Sequence, residues 1–145
     1  MKPIIYSLLL LSLITSFTSN AANTATNTKL IAESSSSVSP LLNGQTVPNV
    51  NIKDIHGKSA SLKSILANKK SIVFFYRGGW CPFCNTQLGQ LKAIEPKLKA
   101  MGFQLIGIST DSPEMLNKSI KDKALSYTLL SDFNSTVSQA FGLAF

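Results

Sequence analysis

Hydrophobic and polar positions divide the chain into three unlike stretches. From Ile4 to Phe17 the residues are apolar with few breaks, and from Ala22 to Ser39 they are dominated by Ser, Thr, Asn and Ala. From Pro40 onward, short apolar runs alternate with helical periodicity. Val47, Val50, Ile52 and Ile55 are interrupted by Pro48, which suits an edge strand because proline cannot donate to a central ladder. Asp54 to Lys58 reads as a tight turn on Gly57, and Ser61 to Leu66 as a short helix capped by Ser61. Ser71 to Tyr76 is continuous, β-branched and aromatic, the pattern of a buried central strand. Leu88, Leu91, Ile94, Leu98 and Met101 then recur every three or four residues, predicting an amphipathic helix that Pro96 kinks or ends and Gly102 closes. Phe103 to Ser109 predicts a second buried strand. A helix capped by Ser112 with Pro113 in its first position follows, to about Ala124. Tyr127 to Leu130 reads as a third strand, and a last helix capped by Asp132 or Asn134 runs through Phe141. Strands alternating with helices predict an α/β fold with parallel crossovers.

The first stretch, with Lys2 before it and Ser19 and Ala21 after it, has the layout of a secretory signal peptide spanning residues 1–21. Fourteen apolar-run residues fall short of the roughly 20 that cross a bilayer, so no stable membrane anchor is expected after cleavage. The expected location is outside the cytoplasm, periplasmic or secreted, where thiols meet oxidising conditions. Residues 22–39 read as a disordered linker, 13 of these 18 being Ser, Thr, Asn or Ala. Residues 40–145 are the expected domain. Charged residues make up 14% of the chain, below the roughly 25% of a typical soluble domain, and the first two stretches account for much of the deficit. Without the leader, 13 basic and 7 acidic residues leave a net charge of +6. Arg77 is the lone arginine and the lysines fall in small groups, two of them on predicted amphipathic helices, which argues against nucleic-acid binding.

Two cysteines and one histidine exclude a disulfide framework, a zinc site built from cysteines alone and any mechanism that needs paired imidazoles. Cys81-Pro82-Phe83-Cys84 joins a predicted strand to a helix start. There, unpaired N–H groups and the positive end of the helix dipole favour a thiolate, and Pro82 forfeits no hydrogen bond. The spacing lets one thiol attack a mixed disulfide formed by the other. Arg77 is near enough in sequence to stabilise a thiolate or orient a peroxide oxygen, and Trp80 is expected to wall the site. A purely structural disulfide would constrain little of the unfolded chain, and half of a metal site would have only His56 as a soft partner. The redox-active dithiol is the reading retained.

Phe74-Phe75-Tyr76-Arg77-Gly78-Gly79-Trp80-Cys81-Pro82-Phe83-Cys84-Asn85, with Gln87-Leu88, resembles the peroxiredoxin-like branch of the alkyl hydroperoxide reductase/thiol-specific antioxidant (AhpC/TSA) family. The Asp54-to-Lys58 turn, Ile108-Ser109, Leu130-Ser131-Asp132 and Phe141-Gly142-Leu143 extend the resemblance over residues 40–145. It implies a thioredoxin-like fold, with a central, mostly parallel sheet flanked by helices. It also implies antioxidant or disulfide chemistry without a metal or organic cofactor, on a peroxide or a protein disulfide, with a thiol reductant as electron donor.

Two departures from the family pattern stand out. In typical peroxiredoxins a Phe-Tyr-Pro is followed by three residues, a Thr or Ser, two residues and the peroxidatic Cys. Aligned without gaps, Arg77 falls on the Pro, Cys81 on the Thr and Cys84 on the peroxidatic Cys. A thioredoxin-style frame instead makes Cys81 the nucleophile and Cys84 the resolving thiol; we read Cys81 as the nucleophile, expecting it to be the exposed one. The second departure is that no proline follows Pro113, where the fold implies a proline-led strand pair and a closing helix. The expectation is a domain incomplete at its C-terminus, with an open sheet edge. The functions carried forward are a peroxiredoxin-like thiol peroxidase and, as an alternative, an exported thiol–disulfide oxidoreductase. A copper-delivery protein on the same fold would want a wider cysteine spacing and a downstream His, and an inactive remnant would lack cooperative folding.

Overall fold

The computed structural model describes residues 31–145, so the expected signal peptide and residues 22–30 of the expected linker lie outside the described residues. The elements are β1 (Asn51–Lys53), β2 (Ser59–Ser61), α1 (Leu62–Leu66), β3 (Lys70–Phe75), α2 (Pro82–Ala100), β4 (Phe103–Ser109), α3 (Pro113–Lys123), β5 (Thr128–Ser131) and α4 (Thr136–Ala140). They form one mixed sheet in the order β2-β1-β5-β4-β3. β3, β4 and β5 run parallel, joined through α2 and α3, while β1 is antiparallel to both β2 and β5. Ahead of β1, Ser35–Ser37 form a 3-10 turn, and the Ala32 N–H donates to the Ala144 carbonyl at 3.0 Å.

The parallel strands are covered on both faces, which explains their unbroken apolar runs. On one face Tyr76, Leu105 and Leu129 pack with Cys84 and Leu88 of α2 and Leu116 of α3. On the other, Ile106, Ile108 and Leu130 pack with Leu62 of α1 and Val137 of α4. Gly107 lies between these layers because a Cβ there would fall 2.8 Å from both Leu129 Cδ2 and the Phe74 ring.

Three expectations need correction. Ser71 to Tyr76 was expected to be a central strand, yet β3 pairs with β4 alone among the described residues, and its side chains are half-buried. A continuous apolar run reports that both faces are covered, and it says nothing about the two edges. Val47 to Ile55 was expected to be an edge strand; the ladder holds only Asn51–Lys53, which lies between two partners, and Pro48 falls outside it. The edge belongs instead to β2, whose Ser59-Ala60-Ser61 carries no apolar signal. Ser61 makes no side-chain cap to α1; its hydroxyl donates to Asn49 Oδ1 at 3.0 Å.

Pro96 does not end the helix, for α2 continues through it to Ala100. Neighbouring Glu95 anchors this turn: its buried carboxylate pairs with Lys99 Nζ at 2.7 Å and accepts a hydrogen bond from Ser126 Oγ. Burial pushes the Glu95 carboxyl up, but the Lys99 and Ser126 hydrogen bonds outweigh it and hold the group below its ordinary value. A carboxyl with a depressed folded-state pKa adds stability above its unfolded pKa of about 4.3, which is lost as pH falls through the folded value. Glu95→Gln should therefore flatten the acid limb of a stability-versus-pH curve measured by urea unfolding. An unchanged acid limb would show that the pair contributes nothing to it.

Candidate active site

β3 delivers the chain to the carboxyl end of the parallel strands, where sites of open α/β sheets form. The Tyr76 N–H still donates to the Ile108 carbonyl at 3.0 Å, and the chain then turns through Arg77, Gly78 and Gly79. Gly78 has φ +151, and a Cβ there would fall 2.5 Å from Trp80 Nε1 and 2.7 Å from Asp111 Oδ1, so the turn closes only with glycine. Asp111, just beyond β4, holds the loop from below: its Oδ2 accepts the Gly79 N–H at 2.7 Å. Asn85 Nδ2 donates to the Gly79 carbonyl at 3.0 Å from the helix side. Asp111 is itself held, its carbonyl accepting from Ser131 Oγ at 2.6 Å and its N–H donating to Ser109 Oγ at 3.3 Å.

This strapping places Cys81 at the N-cap of α2, with Pro82 in the first turn. Cys81 Sγ accepts the Cys84 N–H at 3.4 Å, the role a serine oxygen plays at an ordinary cap. Its pKa is lowered, first by the hydrogen bond from the Cys84 thiol, then by the Cys84 N–H, with smaller help from the Phe83 N–H and the Arg77 charge against the opposing effect of burial. Both cysteines are free thiols and both are buried, Cys81 at 3% exposure and Cys84 at 9%. The first cysteine is thus not distinguished by exposure, as the sequence had suggested, but by the donors that converge on its sulfur.

Arg77 and Trp80 lie together, the guanidinium carbon 4.7 Å from the ring centroid. Trp80 and Phe83 are exposed, at 59% and 87%, so two aromatic side chains flank the helix start while the sulfurs lie inside. Pro82, Arg77 and Trp80, all expected at the site, are brought together with the two cysteines. His56 remains in its turn, where its N–H donates to Asp54 Oδ1 at 2.8 Å. Sequence reasoning missed Asp111, Ser109 and Asn85. The signal for the first two was available, since Ser109-Thr110-Asp111 ends the strand next to the one that carries the cysteines. Among the described residues no group of three or more His, Cys, Asp or Glu is placed to hold a metal ion, and no helix is long and apolar enough to cross a membrane.

The AhpC/TSA family model matches residues 43–145, which takes in the whole sheet and the dithiol. The chain belongs to the AhpC/TSA family. Peroxiredoxin Bcp of Escherichia coli (strain K12) is 32% identical over 106 residues, covering 73% of this chain and 67% of that protein. The chloroplastic peroxiredoxin Q of Populus jackii is 33% identical over 122 residues, covering 81% of this chain and 57% of that one. Among solved structures, peroxidoxin BcpB of Mycobacterium tuberculosis aligns with TM-score 0.64 and 27% identity over 68% of this chain and 64% of that one. Reduced Prx3 of Vibrio vulnificus in complex with hydrogen peroxide aligns with TM-score 0.68 at 20% identity, covering 70% and 68%, a likeness of fold. This AhpC/TSA family member thus spans between 57% and 68% of the length of these four relatives. Its α/β architecture is that of the thioredoxin-like peroxiredoxins.

Proposed function

We propose that this AhpC/TSA family member is a thiol-dependent peroxidase that works through Cys81 and Cys84. The observation that carries the reading is Cys81 Sγ at the N-cap of α2, accepting the Cys84 N–H at 3.4 Å, with the Cys84 thiol beside it lowering its pKa. That environment favours the thiolate, the form that attacks a peroxide. In the proposed step the Cys81 thiolate attacks one peroxide oxygen, an S–O bond forms as O–O breaks, and the departing oxygen leaves as water or an alcohol once protonated. Cys81 is oxidised to sulfenic acid and the peroxide is reduced. Cys84 then loses its proton and attacks the sulfenic sulfur, forming S–S as hydroxide leaves and takes up a proton. Arg77, fixed against Trp80, is the group positioned to orient the peroxide. A thiol reductant returns the disulfide to the dithiol by exchange. The leader-like residues 1–21 support action outside the cytoplasm.

Reaction of the reduced chain with one equivalent of hydrogen peroxide tests this directly. The intact mass should fall by two hydrogens, both thiols should become unreactive to alkylation, and dithiothreitol should restore them. Recovery of both thiols unmodified, with the peroxide still present, would refute the reading.

A further inference from the structure

Tyr76 closes β3 and turns inward, into the core cluster that contains Cys81, Cys84 and Leu88. The residue is 8% exposed, and its buried hydroxyl makes no hydrogen bond of ordinary geometry, the nearest polar group being the Ser109 hydroxyl, which already accepts the Asp111 N–H. Tyr127, from the same cluster, shows what this core offers a buried phenol, for its hydroxyl donates to the Leu88 carbonyl at 2.9 Å. An unpaired buried hydroxyl is destabilising, and phenylalanine would fill the same volume without that cost. The titratable groups around the phenol are Cys84 on α2, Asp111 after β4 and Tyr127 before β5, with the Ser109 hydroxyl beside it. Burial, opposed by the Ser109 hydroxyl and helped in smaller measure by the Asp111 and Cys84 charges, pushes Tyr76 up to about 12. It therefore keeps its proton at neutral pH and serves as a donor, never as a base. In the dithiol, the Cys84 thiol donates to Cys81, and its sulfur has no need of a second donor. The need arises when Cys84 gives up that proton, because a second thiolate then forms inside the core, where an uncompensated charge is costly.

We propose that the Tyr76 hydroxyl serves the resolving step, donating a hydrogen bond to the Cys84 sulfur as it becomes a thiolate and attacks the oxidised Cys81. Tyr76 keeps its proton throughout; the proton lost by Cys84 ends in the water formed from the departing hydroxide. The inference rests on the dithiol reading and adds to it a donor reserved for the second half of the reaction.

Tyr76→Phe tests it in single turnover, with dimedone trapping the sulfenic acid and alkylation with mass detection following the disulfide. Cys81 oxidation should stay within about twofold of wild type. Disulfide closure should slow by about tenfold, dimedone adduct on Cys81 should accumulate, and the pH profile of closure should move up by about one unit, the same tenfold expressed as a pKa. A hydroxyl that is only an unpaired packing group predicts the opposite: Tyr76→Phe melts at the same or a higher temperature and closes at the wild-type rate with an unmoved pH profile. That result overturns this inference alone. Wild-type protein that consumes peroxide without ever forming a Cys81–Cys84 disulfide overturns the inference and the dithiol reading together.

Discussion

Cys81→Ser is expected to abolish peroxide consumption, lowering the second-order rate at least about a thousandfold, because an alcohol replaces the thiolate nucleophile. The fold should survive. Serine is a favoured N-cap residue, and its oxygen can accept the Cys84 N–H that the sulfur now accepts at 3.4 Å. Cys84→Ser should behave differently. It keeps the Cys81 nucleophile, so one equivalent of peroxide is still consumed, but the product stops at a sulfenic acid that dimedone captures. Turnover with a thiol reductant then depends on that reductant reaching Cys81 directly. Cys84→Ser keeps a hydroxyl donor beside Cys81, whereas Cys84→Ala removes the donor, so the pH profile of the first step should shift upward in Cys84→Ala. Following peroxide loss and intact mass for both serine variants decides between the two frames that the sequence leaves open. If Cys84→Ser loses the first step and Cys81→Ser retains it, the ungapped peroxiredoxin alignment is right and the assignment made here is wrong.

Asp132→Ala is expected to produce the largest loss of stability, on the order of 3 kcal/mol, because it leaves buried donors without an acceptor. Asp132 is 1% exposed, and its carboxylate accepts the Val137 N–H at 2.8 Å, the Ser138 N–H at 2.7 Å and the Ser138 hydroxyl at 2.6 Å. From ahead of the N-cap residue Ser135 it takes up first-turn donors of α4, which have no partner within a helix of only Thr136–Ala140. Its own N–H donates to the Ser109 carbonyl at 2.8 Å, so the same residue joins the end of β5 to the end of β4 beside the site. Against the 5–15 kcal/mol stability of a typical domain, a loss of about 3 kcal/mol is a substantial fraction. The urea midpoint of Asp132→Ala should fall well below that of wild type, with Asp132→Asn in between because one acceptor oxygen survives. A midpoint unchanged in Asp132→Ala would mean that water satisfies these donors.

Local chemistry was legible where one residue decides a local outcome. Ser112 and Pro113 start α3 as expected, and the Ser112 hydroxyl accepts the Met115 N–H at 3.4 Å. The N-cap of the last helix is Ser135 and neither candidate, although Asp132 accepts the Val137 and Ser138 N–H groups and Asn134 Oδ1 the Thr136 N–H at 3.5 Å. That Pro96 does not stop α2 was not legible locally, because the turn around it is held through Glu95 by Lys99 and by Ser126, 31 residues away in sequence. β2 was invisible because an edge strand of Ser-Ala-Ser needs only backbone pairing with β1. The site divided in the same way. Cys81, Pro82, Cys84, Arg77 and Trp80 lie within eight consecutive residues and could be read together, whereas Asp111 acts across 32 positions.

The alternation of apolar runs and helical periods thus determined the parallel β3-β4-β5 unit by itself, because burying both faces of parallel strands demands that pattern. It likewise placed the dithiol at a helix start, because capping is local. Only the tertiary structure decided which strands lie at the edges, since ladder pairing uses backbone groups that every residue carries. Only it showed that both sulfurs are buried and that Cys81 is marked out by the donors aimed at it. Such differences come from groups distant in sequence, and the folded chain alone brings them together.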